Sequence, residues 1–173
     1  LRKLEYRGYD SAGIATLSDG ILNEAKSEGR VDILERNLAV KNMSGLIGIG
    51  HVRWATHGVP NVVNAHPHSS EKVSVVHNGI IENYDSIKKA LQAKGHVFKS
   101  DTDTEVLVQL IENIKNHEQV NLFEAVRIAL AEVVGAYAIV VMEEGVNNEF
   151  IAARKGSPLV IGVGRDEYYI ASD

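Results

Sequence analysis

The sequence predicts an α+β protein built in layers, with largely antiparallel sheets. Strand-like segments cluster at the beginning and the end of the 173 residues, and helical segments lie between them. Two pairs of strand-like segments are joined by short polar connections, which is typical of antiparallel hairpins. Strands that alternated with helices along the whole chain would instead predict a parallel sheet.

The first hairpin is centred on Asp19-Gly20, a dipeptide that tolerates the positive φ angles of a tight turn. Strands are predicted on either side of it, at 12–17 and 21–26. A helix is expected at 31–40, because its apolar residues recur on one face. Residues 1–6, ahead of the hairpin, resemble the last turns of a helix.

Two further strands are predicted at 46–52 and 73–77. Both segments are apolar and rich in β-branched residues, and both are too short for helices. They are therefore expected to be buried strands.

Three helices are predicted in the middle of the chain. Asn83 is a suitable cap for a helix that runs to about Ala93, and Thr102 or Asp103 opens the second. The third covers 122–133. After them, strands are expected in a hairpin at 136–142 and 150–154, and then at 159–164 and 168–171.

Composition excludes several classes of function. The net charge is −5 and no run of basic residues is present, so neither nucleic acid nor an anionic membrane is expected as a partner. The chain has no cysteine, which excludes disulfides and thiolate metal sites. No apolar segment is long enough to span a bilayer, and the chain does not begin with a signal peptide. The expected location is the cytoplasm.

The segment 51–58 is the first candidate site. Arg53 and Trp54 stand where a strand ends, and a turn with Thr56, His57 and a glycine follows. An arginine at a strand end presents a rigid fork that matches a carboxylate. The alternative is a surface salt bridge.

The segment 75–83 is the second candidate site, because a predicted strand ends there in Asn78-Gly79. Asn78 offers an amide donor, and Gly79 lets its backbone N–H approach a ligand closely. Two such donors suit an oxyanion. The alternative is an ordinary turn, which Asn-Gly commonly forms.

The segment 100–105 is the third candidate site. Ser, Thr and Asp at a helix start usually act as caps. Four oxygen-bearing side chains precede Glu105, however, which is more than capping requires. One of them is therefore a candidate for binding a ligand ammonium group.

Five histidines fall between 51 and 77. A zinc site would need three or four converging ligands. Their spacing fits no pair on one helical face, so structural histidines are expected and no metal is predicted.

Six segments together identify a resemblance. In order along the chain they are LEYRGYDSAG (4–13), HVRWATHG (51–58), NAHPH (64–68), HNGIIEN (77–83), SDTDTE (100–105) and GSPLVIG (156–162). Over its whole length the chain resembles the glutaminase domain of the glucosamine-6-phosphate synthase family, the isomerizing glutamine–fructose-6-phosphate aminotransferases. These are class II glutamine amidotransferases.

The resemblance implies the fold of the N-terminal-nucleophile hydrolases, an αββα sandwich of two mainly antiparallel sheets. It also implies hydrolysis of L-glutamine to glutamate and ammonia, which aminates fructose-6-phosphate, with no cofactor. Arg53 would bind the α-carboxylate of glutamine and Asp103 its α-ammonium group, while Thr56 and His57 would line the same end of the pocket.

The resemblance assigns the remaining roles as well. Asn78 and Gly79 would form the oxyanion hole, and Trp54 would gate the passage of ammonia. The nucleophile of the family is an N-terminal cysteine activated by its own α-amine. This chain has no cysteine, and the resemblance places the nucleophile before Leu1.

We therefore expect residues 1–173 to be a single domain that lacks its first strand and its last strands, and that is inactive by itself. Its expected partners are L-glutamine and a sugar-isomerase domain of the same parent chain. Exposed sheet edges would favour a homodimer. Two alternatives remain, namely the glutaminase domain of another class II amidotransferase and a non-catalytic glutamine-binding module.

Overall fold

A computed structural model of the chain describes residues 1–39, 41, 43–55 and 58–173. The elements are, in chain order, a 3₁₀ helix Arg2–Arg7, β1 Ser11–Ser18, β2 Ile21–Glu28, α1 Val31–Leu38, β3 Ile47–Arg53, β4 His68–Ser69, β5 Val73–Ile81, α2 Tyr84–Ala93, α3 Asp103–Glu118, α4 Leu122–Glu132, β6 Gly135–Glu143, β7 Ile151–Lys155, β8 Val160–Val163 and β9 Tyr168–Ala171. The strands and helices predicted after residue 10 all occur in the predicted order, and β4 is a short strand that was not predicted.

The first sheet has three strands in the order β2-β1-β3, all antiparallel. β1 and β2 form the hairpin predicted around Asp19-Gly20. The φ angles of these two residues are 51° and 79°, as a tight turn between twisted strands requires. β3 lies on the other side of β1, and this pairing places Arg53 opposite Ser11.

The second sheet has four antiparallel strands in the order β4-β5-β6-β7. β5 pairs with β6 along its whole length, from Val73 opposite Glu143 to Ile81 opposite Gly135. The prediction that this strand ends at Asn78-Gly79 is therefore wrong, because both residues lie within the ladder. Pairing along nine residues outweighs the turn preference of a dipeptide.

Three apolar clusters define the layers of the molecule. α1 packs Val31 and Leu34 against Ala12 and Ala25 on the outer face of the first sheet. Side chains from both sheets meet in the second cluster: Ala15, Leu17, Ile49, Val76 and Met142. The third and largest cluster buries α2, α3 and α4 against the second sheet. The chain is thus an αββα sandwich, as the resemblance implies.

Alternation along β5 follows from this layering. Val73 and Val75 belong to the cluster under the helices, whereas Val76 belongs to the cluster between the sheets. Successive side chains of a strand point to opposite faces. By the same period, Asn78 faces the first sheet and His77 faces the helices.

Two details of the sequence prediction are wrong. Leu46 was expected within a buried strand, but it lies outside β3 and is fully exposed. Asn83 occupies the N-cap position of α2, yet its side chain does not cap the helix. It bonds the segment after α4 instead, accepting from the Val134 N–H and donating to the Glu132 carbonyl, each at 2.9 Å.

The two ends of the chain lie together. Residues expected to end a helix form the 3₁₀ helix, and Arg7 donates from Nη1 to the Ser172 carbonyl at 3.1 Å. The Tyr6 hydroxyl also bonds Asp173. β8 and β9 pair only with each other, as a separate two-stranded sheet in the described part of the chain. None of the helices described has the length and apolar character needed to cross a bilayer.

Candidate functional site

A cavity of about 430 Å³ lies between the two sheets, beside the first turn of α3. Seven residues were predicted for the site. Five of them line this cavity, namely Arg53, Trp54, Asn78, Gly79 and Asp103. The other two, Thr56 and His57, lie outside the described residues. Segments far apart in the sequence therefore meet at one place.

Arg53 is the last residue of β3, and its side chain is only 4% exposed. The alternative of a surface salt bridge is therefore wrong. Nη2 of Arg53 donates to the Gly58 carbonyl at 3.4 Å. Burial lowers the pKa of the guanidinium, and the nearby carboxylates of Asp10 and Asp103 oppose that shift. Because an arginine normally titrates far above neutrality, Arg53 stays cationic.

Asp103 is the first residue of α3 and is buried. Its Oδ2 accepts from the Ile81 N–H at 2.8 Å, which fixes the carboxylate against the end of β5. The positive end of the helix dipole also favours an anion at this position. Asp103 and Arg53 thus bring opposite charges to the same cavity.

Capping of α3 is done by neighbours of Asp103. Thr102 accepts from the Glu105 N–H at 3.3 Å. Glu105 in turn accepts from the backbone N–H groups of Lys99 and Ser100, at 2.8 and 2.5 Å. Capping is therefore confirmed for Thr102 and Glu105. Asp103 lines the cavity, and its binding of an ammonium group stays a prediction.

Asn78 and Gly79 line the cavity from within β5. The Asn78 Oδ1 lies 2.7 Å from Nε2 of His51 on β3, across the gap between the sheets. Gly79 has a φ of 131°, and a Cβ built there would lie 2.1 Å from the Ala136 carbonyl oxygen. Only glycine fits this position. An Asn-Gly turn is excluded as the explanation of this pair.

Trp54 stands at the mouth of the cavity and is 59% exposed. Its ring meets that of Tyr9 edge to face, with centroids 5.8 Å apart. Both residues are more than half exposed, so this aromatic pair lies at the protein surface.

Four histidines form a cluster at the cavity, namely His51, His66, His68 and His77, and all of them except His68 line it. The rings of His51 and His66 are stacked with centroids 4.2 Å apart, and His68 meets His66 edge to face at 4.8 Å. Among the described residues no group of side chains converges to hold a metal ion.

Thr102, the N-cap residue of α3, and Thr104, in its first turn, anchor this histidine cluster. Thr104 Oγ1 bonds Nε2 of His66 at 2.9 Å and Nδ1 of His77 at 3.0 Å. Thr102 Oγ1 bonds Nε2 of His68 at 3.0 Å. The two threonines therefore connect the start of α3 to β4 and β5 of the second sheet. They reach the first sheet only through His66, whose ring is stacked on that of His51 of β3.

Three histidines of the cluster, His51, His66 and His68, are uncharged at neutral pH. Burial lowers the pKa of His51 to about 4 and that of His68 to about 3. Burial also places the pKa of His66 well below its ordinary value, and the neighbouring histidines add to the shift. Neutral imidazoles can be enclosed at a much lower desolvation cost than imidazolium ions.

The arrangement suits a particular kind of ligand. A buried cation and a buried carboxylate at one part of the wall match the carboxylate and ammonium groups of an amino acid. An asparagine amide at another part is a donor of the kind that stabilises an oxyanion. Because the chain contains no cysteine, a thiolate nucleophile is not among its 173 residues.

Sequence reasoning missed two residues of this region. Asp10 accepts from the Ala55 N–H at 2.7 Å and attracts Arg53. His51 contacts Asn78. The sequence could have predicted that His51 faces the site, because it is two residues before Arg53 on one strand and such residues face the same side. The signal for Asp10 is weaker, since its contacts depend on how β1 pairs with β3.

A family model described as "Glutamine amidotransferase domain" matches residues 58–173. A glutamine–fructose-6-phosphate aminotransferase (isomerizing) from Bacteroides thetaiotaomicron is 59% identical to the chain. That similarity covers all of this chain and 29% of the relative. The chain thus spans less than a third of the length of this relative.

Two solved structures show the same fold. A glutamine phosphoribosylpyrophosphate amidotransferase from B. subtilis is 32% identical, with a TM-score of 0.84, over 98% of this chain and 37% of that one. A structure described as the allosteric regulatory enzyme of purine biosynthesis is also 32% identical, with a TM-score of 0.86, over 99% and 37%. Both similarities extend over the two sheets and the helices that cover them.

Proposed function

Because the chain belongs to the glutamine amidotransferase domain family, we propose that it binds L-glutamine in the cavity between its sheets and presents the side-chain amide for hydrolysis. The observation that carries the proposal is the pair of opposite buried charges, Arg53 and Asp103, lining one cavity with Asn78 and Gly79. Free glutamine is a zwitterion with an amide at its far end, and it needs these three kinds of partner.

In this proposal Arg53 holds the α-carboxylate, and Asp103 holds the α-ammonium group. The guanidinium fork matches the two carboxylate oxygens. Asp103 is held at the start of α3 by its bond to Ile81, so it meets the ligand without losing freedom on binding. The proposal also assigns Thr56 and His57 to the same end of the pocket, on the resemblance alone, because both lie outside the described residues.

Asn78 and Gly79 form the oxyanion hole of the proposed reaction. Attack on the glutamine amide makes a tetrahedral intermediate, and its oxygen becomes negative. Donors placed in advance stabilise that charge more than they stabilise the substrate. Location within β5 favours this role, because strand pairing holds both residues rigidly.

The nucleophile of the reaction is a cysteine that the 173 residues do not contain. We propose that a longer parent protein supplies it, together with a sugar-isomerase domain that uses the ammonia to convert fructose-6-phosphate into glucosamine-6-phosphate. The similarity to the fructose-6-phosphate aminotransferase, of which this chain covers 29%, supports the assignment. Trp54, exposed at the cavity mouth, would gate the ammonia.

Glutamate production by the full-length protein tests the proposal. We expect glutamate from L-glutamine, and glucosamine-6-phosphate when fructose-6-phosphate is added. No glutamate with any acceptor would refute the glutaminase role. Product with phosphoribosylpyrophosphate in place of the sugar phosphate would instead favour the other kind of amidotransferase, to which the solved B. subtilis structure belongs.

The 173-residue chain provides a second test. We expect it to release no ammonia from glutamine, because neither Leu1 nor any other residue is a cysteine. Calorimetry with L-glutamine then separates a binding module from a chain that does not recognise the ligand. Release of ammonia above the rate of a buffer blank would contradict the proposed need for an external nucleophile.

A further inference from the structure

A hydrogen bond between His51 of β3 and Asn78 of β5 joins the two sheets at the proposed oxyanion hole. His51 Nε2 and Asn78 Oδ1 are 2.7 Å apart, and both residues line the cavity. Oδ1 has no hydrogen to donate, so the bond requires a hydrogen on Nε2 of His51. His51 is therefore the Nε2–H tautomer when it is neutral.

The orientation of the Asn78 amide decides whether it can stabilise an oxyanion. An asparagine amide has a donor end and an acceptor end, and a rotation about its last bond exchanges them. The donor end attracts a negative oxygen, whereas the acceptor end repels it. Because His51 engages Oδ1, the other end of the amide, Nδ2, is left to serve the cavity.

His51 is itself held in place. Its ring is stacked on that of His66 at 4.2 Å. His66 is buried and bonded to Thr104 of α3 at 2.9 Å. The position of the donor is thus fixed by contacts that reach from β3 to α3.

We propose that His51 is a positioning residue, which locks the Asn78 amide with its Nδ2 donor toward the developing oxyanion. The proposal rests on the proposed glutaminase function and goes beyond it, because it assigns His51 a role that is exercised only through Asn78. In this role His51 acts through Asn78 and transfers no proton.

Two substitutions of His51 in the full-length protein test this role. His51→Leu removes the donor, so we expect kcat to fall about 30- to 100-fold while KM for glutamine changes less than about twofold. His51→Gln keeps an N–H near the position of Nε2, and we expect it to lose less than about fivefold in kcat. An oxyanion donor acts on the transition state, which is why kcat and KM separate.

A matched control is His68→Leu. His68 is buried in the same cluster, and its Nε2 bonds Thr102 at 3.0 Å instead of Asn78. We expect His68→Leu to lower the melting temperature as His51→Leu does, with kcat within about threefold of wild type. Comparing the two variants separates the effect of losing a buried hydrogen bond from the effect of losing the orientation of the Asn78 amide.

If His51→Leu does not fold, His51→Asn replaces it, because its shorter side chain keeps polarity but cannot reach Asn78. Loss of kcat in His51→Asn and retention in His51→Gln would support the proposal. Equal kcat in wild type and His51→Leu, or a failure of His51→Gln to restore activity, would overturn it. A wild-type protein that releases no glutamate would instead overturn the proposed function, so the two failures are distinguishable.

Discussion

Arg53 and Asp103 carry their charges into the protein interior through different local structures. Arg53 reaches the cavity as the last residue of a strand, whereas Asp103 does so as the first residue of a helix. Each is held by a backbone partner, the Gly58 carbonyl for Arg53 and the Ile81 N–H for Asp103. A ligand that brings both opposite charges therefore completes a site whose parts are already in place.

Arg53→Ala in the full-length protein should mainly weaken glutamine binding. The change removes a bidentate partner of the α-carboxylate, so we expect KM to rise roughly 30-fold or more, equivalent to about 2 kcal/mol or more. Steady-state kinetics measures this, and Arg53→Lys is the control that keeps charge without the fork. An unchanged KM would contradict the role proposed for Arg53.

Gly79→Ala should destabilise the domain, because the new Cβ would lie 2.1 Å from the Ala136 oxygen at a φ of 131°. We expect a loss of about 3 kcal/mol or more in the free energy of unfolding, measured with urea. Gly145→Ala is the control, since Gly145 also has a positive φ, of 85°, but a Cβ added there would meet nothing within 4 Å. Its loss should be about 1 kcal/mol. Equal losses in the two variants would show that the contact with Ala136 is unimportant.

At the scale of elements, β3, β4, β5 and α3 enclose the histidine cluster, and this predicts sensitivity to acid. The folded pKa values of His51 and His68, about 4 and about 3, lie below the unfolded value of about 6.5. The unfolded chain therefore binds more protons between these values. Stability should be complete above pH 6.5 and fall below it, by up to about 1.4 kcal/mol per pH unit for each histidine.

Urea unfolding between pH 6.5 and pH 5 measures this slope before most carboxylates titrate. His68→Gln should reduce the slope by the share of one histidine. A free energy of unfolding that stays constant over this range would show that the cluster is protonated or exposed in the folded protein.

The sequence predicts most elements, because apolar periodicity and cap residues are local signals. The first hairpin follows from Asp19-Gly20, and α3 begins where Thr102 can cap it. β5 could not be bounded in this way, since Asn78-Gly79 favours a turn and only pairing with β6 extends the strand. Sequence signals also found Arg53 and Asp103, but not the contact between His51 and Asn78, which depends on how the two sheets pack.

At the scale of the molecule, the layers place the site where both sheets can contribute. The first sheet supplies Arg53 and His51, the second supplies Asn78 and Gly79, and the helical layer supplies Asp103. No single layer holds both the charged pair and the amide donor. The site therefore depends on how all the layers of the domain are arranged, and the resemblance to the class II amidotransferases extends over that whole arrangement.

The same architecture predicts self-association of the 173-residue chain. β3 is an edge of the first sheet among the described residues, and an edge strand offers unpaired backbone groups to another chain. We expect the mass from light scattering to rise with concentration toward that of a dimer. Leu46→Lys, at a fully exposed residue just before β3, should reduce this rise. A monomer at every concentration would exclude pairing through this edge.

The two faces of β5 also determine where the domain can change in length. A residue inserted between Val73 and Asn78 would shift the register of the rest of the strand by one, so Asn78 would turn from the first sheet toward the helices. The loop at 144–150, between β6 and β7, imposes no such alternation, and insertions there leave every core side chain on its own face. Length variation among natural or engineered versions of this domain should therefore accumulate in that loop and spare the strand.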